Sequence, residues 1–112
     1  MAQDFERYGL NAVGTSATDV HTSNSDDAII SVRLANITTS TINADVFITS
    51  SVTGGSQNHY LIKNAPIVSG GSLELIDGGS KIVMLNNDVL KAKSDTASSL
   101  DVWASFVDAI ST

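Results

Sequence analysis

Apolar and polar positions alternate with a period of two along most of this chain, and no stretch keeps the helical period. The clearest run is 28–37. Ile30, Val32 and Leu34 fall on one parity, Ser31 and Arg33 on the other, as in a half-buried strand. Residues 42–50 repeat the pattern with Ile42, Ala44, Val46 and Ile48 inward and Asn43, Asp45, Phe47 and Thr49 outward. A third run, 99–110, sets Leu100, Val102, Ala104 and Phe106 inward and Asp101, Trp103, Ser105 and Val107 outward. Shorter candidates are 4–8, 18–22, 58–63, 72–76, 81–85 and 89–93. One core is expected to unite Ile30, Val32, Leu34, Val46, Ile48, Leu100, Val102 and Phe106.

Turn signals separate these segments. Gly54-Gly55, Gly70-Gly71 and Gly78-Gly79 suit tight reversals, because glycine enters positive φ without a Cβ clash. Residues 22–27 and 38–41 are short polar runs that bond to their own backbone, and Asn86-Asn87-Asp88 is another such turn. Pro66 has no N–H to donate, so it belongs at a strand end or a sheet edge. Short strands with a turn about every 8–12 residues predict an all-β fold. The expected form is a single antiparallel β-sandwich, jelly-roll or immunoglobulin-like, of about seven to nine strands. Residues 1–112 form one domain in this reading. Residues 1–17 are set apart as an N-terminal arm, since Phe5, Tyr8, Leu10 and Val13 are apolar but irregularly spaced.

Composition removes several functions. The chain has no Cys, which excludes disulfides and thiolate metal sites. Its formal charge is −6, and no Lys/Arg cluster reverses this locally, so neither nucleic acid nor a membrane surface is an expected partner. The first residues lack the pattern of a secretory signal, and no apolar run is long enough for a membrane helix. Synthesis and folding in a cytoplasm is the expectation.

Candidate chemistry is sparse. His21 has Asp19 on its own strand face and His59 has no near partner, so both read as surface strand histidines. Asp26-Asp27 are adjacent and would point to opposite faces, while Asp77, Asp88 and Asp95 sit singly in turns. There is no calcium-loop pattern, no G-x-S-x-G, and no Gly-rich loop with the Lys of a phosphate site. Asn36-Ile37-Thr38 matches a glycosylation acceptor by accident. The expectation is therefore no enzyme, with no catalytic, cofactor-binding or metal-binding residue. What resists a purely structural reading is apolar. Phe47 and Trp103 both take the outward parity, and Val107 shares that of Trp103. Together with the arm they give the expected partner contacts Phe5, Tyr8, Leu10, Phe47, Trp103 and Val107.

Several segments carry a resemblance. They are Tyr60-Leu61-Ile62-Lys63-Asn64-Ala65-Pro66-Ile67, Gly70-Gly71-Ser72-Leu73-Glu74-Leu75, Lys81-Ile82-Val83-Met84-Leu85, Asp88-Val89-Leu90-Lys91-Ala92-Lys93-Ser94 and Ala97-Ser98-Ser99-Leu100-Asp101-Val102-Trp103-Ala104-Ser105-Phe106. With Phe5-Glu6-Arg7-Tyr8 and Val13-Gly14-Thr15, this rhythm resembles small virion structural proteins of tailed bacteriophages of the marine and cyanobacterial type. It departs at Asn87-Asp88, where that pattern has Gly-Asp; Asn tolerates left-handed φ. The resemblance implies a virion protein without enzymatic activity or cofactor, placed as capsid decoration or cement, or else as a neck or tail adaptor. The implied partners are other virion proteins (major capsid, neck or tail) and further copies of itself. A second reading is a carbohydrate- or receptor-binding β-sandwich, with Trp103, Asp101 and nearby Asn residues as a sugar platform.

Overall fold

Period-two alternation becomes strand throughout the computed structural model, which describes residues 4–50, 56–76 and 81–108. Nine strands are described: β1 (Asp4–Val13), β2 (Thr18–Thr22), β3 (Asp27–Asn36), β4 (Ile42–Ser50), β5 (Gln57–Ile67), β6 (Ser72–Glu74), β7 (Ile82–Met84), β8 (Val89–Ser94) and β9 (Leu100–Asp108). There is no helix among the described residues.

The strands form two antiparallel sheets packed as a β-sandwich. The first runs β1-β9-β3, with β6 and β7 pairing successive parts of β3 on its far side; the second runs β2-β8-β4-β5. Between them lie the inward residues of both sheets. On the paired strands β3 and β9, Val32 faces Ala104, Leu34 faces Val102 and Ile29 faces Phe106. Ile42, Ala44, Val46 and Ile48 meet them from β4, with Leu90 and Ala92 from β8.

All the expected core residues lie there except Ile30. The register of β3 against β9 shifts between Ile29 and Ser31, so Ile30 is the extra residue of a bulge. A one-residue insertion reverses parity, and Ile29, fully buried, takes the core position instead.

Turn chemistry behaves as the residue types require. Pro66 lies near the end of β5, the edge strand of the second sheet, where its missing donor costs no ladder bond. Gly70 sits at φ +68° and Asn87 at φ +75°, the left-handed region these turns need. Gly54-Gly55 and Gly78-Gly79 lie outside the described residues.

Asn36 joins the two sheets at one end. It is almost fully buried, and its amide donates to Ser40 O (2.7 Å), Ile67 O (2.9 Å) and Val68 O (3.1 Å). Its Oδ1 accepts from the Thr38 N–H at 2.8 Å. An amide so enclosed is a structural staple and not a glycan acceptor.

Residues 4–13 of the expected arm are β1, hydrogen-bonded to β9 as the edge of the first sheet. The strand is interrupted between Leu10 and Val13, where Ala12 takes φ +56°. Asp101 holds that bulge, accepting at Oδ1 from the Ala12 N–H and the Asn11 amide, both at 2.9 Å. β1 lies beside a central strand, so its period-two faces are set by β9. Tyr8 and Leu10 turn inward onto the core, and Phe5 turns outward.

Candidate functional site

The outward face of the first sheet carries three exposed large apolar side chains, Phe5, Val83 and Trp103. Directly opposed residues of antiparallel strands project to the same side. Phe5 pairs with Val107, Val107 with Ala28, and Ala28 with Val83. This gives one apolar row across β1, β9, β3 and β7. Phe5 is 83% exposed and Val83 56%. Four residues along β9, a second row contains Gly9, Trp103 and Arg33. At about 3.3 Å per residue the two rows are about 13 Å apart.

The six expected contact residues do not form one patch. Phe5, Val107 and Trp103 lie on this outer face. Tyr8 and Leu10 pack against the core from the inner face of β1. Phe47 belongs to the second sheet, so it lies on the far side of the molecule from Trp103. Its parity is outward as expected, yet it is only 4% exposed. Two register shifts between β4 and β5 bring Tyr60 over it, with ring centroids 4.9 Å apart, and the Lys63 ammonium lies 4.6 Å from the Tyr60 ring. Period two reports the direction of Phe47 but not what covers it.

Trp103 is held by the strand beside it. Gly9 is its partner on β1, and a Cβ at Gly9 would stand 2.9 Å from Trp103 Cε3. The indole thus lies against bare backbone of an edge strand, a way to cover an edge glycine.

His21 departs most from its reading as a surface residue. Its side chain is 9% exposed, and Nε2–H donates to Asp27 Oδ2 at 2.9 Å. The ring stacks on Tyr8 at 4.2 Å and meets Phe106 at 4.7 Å. His21 comes from the second sheet and the other three from the first, so the imidazole stitches the layers. Asp27 is buried, which alone would raise its pKa. Hydrogen bonds from His21, Asp108, Ser23 and Ser25 outweigh that and lower it to about 2. Asp108 is pushed the other way, first by the hydrogen bond it shares with Asp27. Burial and the hydrogen bond to Glu6 push Tyr8 up to about 12.

Ser23, His21 and Asp27 together contain the residue types of a hydrolase triad, but the connectivity differs. Ser23 Oγ donates to Asp27 Oδ2 at 2.9 Å, so the carboxylate and not the imidazole is the hub. A nucleophile needs its base at hydrogen-bond reach and an opening for substrate. Here Ser23 and Asp27 are each 1% exposed. The arrangement builds a junction. Among the described residues no three His, Asp or Glu side chains are grouped to hold a metal ion.

No protein-family model and no curated protein matches the chain. Solved structures do. A chain of the acid-stable capsid of Helicobacter pylori bacteriophage KHP30 aligns over 96% of this chain and 87% of its own length, at TM-score 0.58 and 12% identity. A chain of the disulfide-linked pili that form Bacillus endospore appendages aligns over 95% and 84%, at TM-score 0.50 and 17% identity. VP2 of the infectious bursal disease virus subviral particle aligns over 93% of this chain but 33% of its own, at TM-score 0.51 and 10% identity. At such identities the likeness is one of fold: this chain has the two-sheet β-sandwich found in chains of viral capsids and of a bacterial spore pilus.

Proposed function

We propose that the chain is a non-enzymatic structural protein of a tailed-phage virion, a single domain added in many copies to the capsid surface as decoration. The observation that carries this is mutual coverage. This chain and the phage capsid chain match over nearly all of both, so two subunits of similar size share a whole fold. In VP2 the same fold spans a third of a larger chain. Both are chains of viral capsids, which supports a capsid role for a domain of this fold.

The outer apolar row supplies the contact. Phe5 gains nothing from its own fold at 83% exposure, and burying such a side chain against a neighbour contributes about 1.5–3 kcal/mol. A stiff sheet presents that row without ordering a loop on docking. The partners in this reading are the major capsid protein and adjacent copies; a neck or tail adaptor is the variant with fewer copies.

Rebinding tests the contact. Purified chain is added to particles lacking it, as wild type and as Phe5→Glu. The wild type should bind saturably. Phe5→Glu should keep its fold, since the side chain touches little of it, and should lose binding by about tenfold or more. Equal binding by both removes the Phe5 row from the interface.

A further inference from the structure

A groove of about 620 Å³ lies beside Trp103, away from the Phe5 row. Its volume falls within the roughly 300–1,000 Å³ of small-ligand sites. Trp103 lines it and is 52% exposed despite resting on Gly9. Arg7 borders it from β1 and Arg33 from β3, on either side of β9. The chain has only six basic residues and a charge of −6, yet two of the six line this groove with its sole tryptophan.

One arginine, Arg33, is in a long ion pair with Glu74, and the other, Arg7, is in none among the described residues. The Arg33 side chain is 60% exposed, and its nearest carboxylate, Glu74, is 3.7 Å away. Glu74 is itself occupied, accepting from the Ser31 hydroxyl at 2.9 Å and the Val32 N–H at 3.0 Å. Acceptors are present too. Asp101 lines the groove, and both hydrogen bonds it accepts from the β1 bulge go to Oδ1.

We propose that this groove binds an acidic saccharide, a chain containing uronic acid. The indole supplies a flat apolar face for the C–H side of a pyranose ring. Arg7 and Arg33 supply charge-assisted donors for its carboxylate. Asp101 accepts from a sugar hydroxyl. This last group separates the candidates. A uronic acid brings hydroxyl donors for Asp101 beside the carboxylate that the arginines hold, whereas a glutamate side chain brings a carboxylate with no hydroxyl donor beside it.

Trp103 is the only tryptophan, so its fluorescence reports on this groove alone. The full chain is titrated with oligogalacturonate, with a neutral oligosaccharide of equal length and with an oligoglutamate peptide. Oligogalacturonate should give a saturable change, and the other two should bind about tenfold more weakly or worse. Arg7→Ala and Arg33→Ala should each weaken it by about tenfold, with circular dichroism unchanged. Gly9→Ala should alter the emission of the free protein and weaken binding, because the added methyl displaces the indole. The proposal is overturned by no saturable response to oligogalacturonate, by equal affinity for the neutral saccharide or the peptide, or by unchanged affinity in Arg7→Ala.

Discussion

Replacing His21 by Ala tests whether the buried imidazole is the stitch between the sheets. The substitution removes three things. Asp27 Oδ2 loses a 2.9 Å charge-assisted bond, a loss of about 1.5–3 kcal/mol for a buried carboxylate. Tyr8 loses a stacked ring at 4.2 Å, about 0.5–1.5 kcal/mol beyond area burial. Phe106 loses a ring neighbour at 4.7 Å, leaving unfilled space between the layers. Ser23 and Ser25 still donate to Asp27, so the carboxylate is not abandoned. The expected loss is about 3–4 kcal/mol, a large share of the 5–15 kcal/mol typical of a domain. Urea unfolding at neutral pH measures it as a lower midpoint at unchanged slope. A double-mutant cycle with Asp27→Ala should return a coupling of about 1–3 kcal/mol. A loss below about 1 kcal/mol together with no coupling would mean that His21 does not join the sheets, since that is the behaviour of an exposed histidine.

Other outcomes follow from single residues. The pKa of Asp108 is raised in the fold, so its contribution is full below the unfolded value near 3.9 and is lost as pH rises; that of Asp27 is lowered, so its contribution is lost as pH falls toward about 2. Asp108→Asn should therefore flatten the decline in thermal stability as pH rises from about 3.9 and leave the loss toward pH 2 in place; parallel wild-type and variant profiles would contradict this. His59 Nε2 is buried without a hydrogen-bond partner among the described residues, so His59→Leu should be neutral or stabilising by up to about 1 kcal/mol in the same urea assay. Asn36→Ala strands the buried Ile67 carbonyl and the Thr38 N–H, and should cost about 2–4 kcal/mol at equilibrium; a change within about 0.5 kcal/mol would mean water replaces the amide.

The strand rhythm was legible because period two survives wherever one face is buried. On β4 and β9 every inward assignment holds, from Ile42 to Ile48 and from Leu100 to Phe106. Ile30 failed because Ile29 and Ile30 are adjacent and alike, so nothing in their chemistry marks which one a bulge extrudes. His21 failed for another reason. Its partner is not its local neighbour Asp19 but Asp27, across a turn at the start of the next strand, in the other sheet. The polar run between them, read only as a turn, supplies Ser23 and Ser25 to the same carboxylate. The outer face depends on strand order. Nothing in the sequence says that β1 pairs with β9, and without that neither the Phe5–Val107 row nor the seating of Trp103 on Gly9 can be drawn.

The central claim, a subunit present in many copies on a virion, is tested most directly by its stoichiometry. Quantitative mass spectrometry of purified particles gives copies of this chain against the major capsid protein. Capsid decoration predicts copies on the order of the capsid subunits themselves, as repeated identical surfaces require. A count lower by an order of magnitude would move the chain to the neck or tail, and its absence from particles would contradict the account.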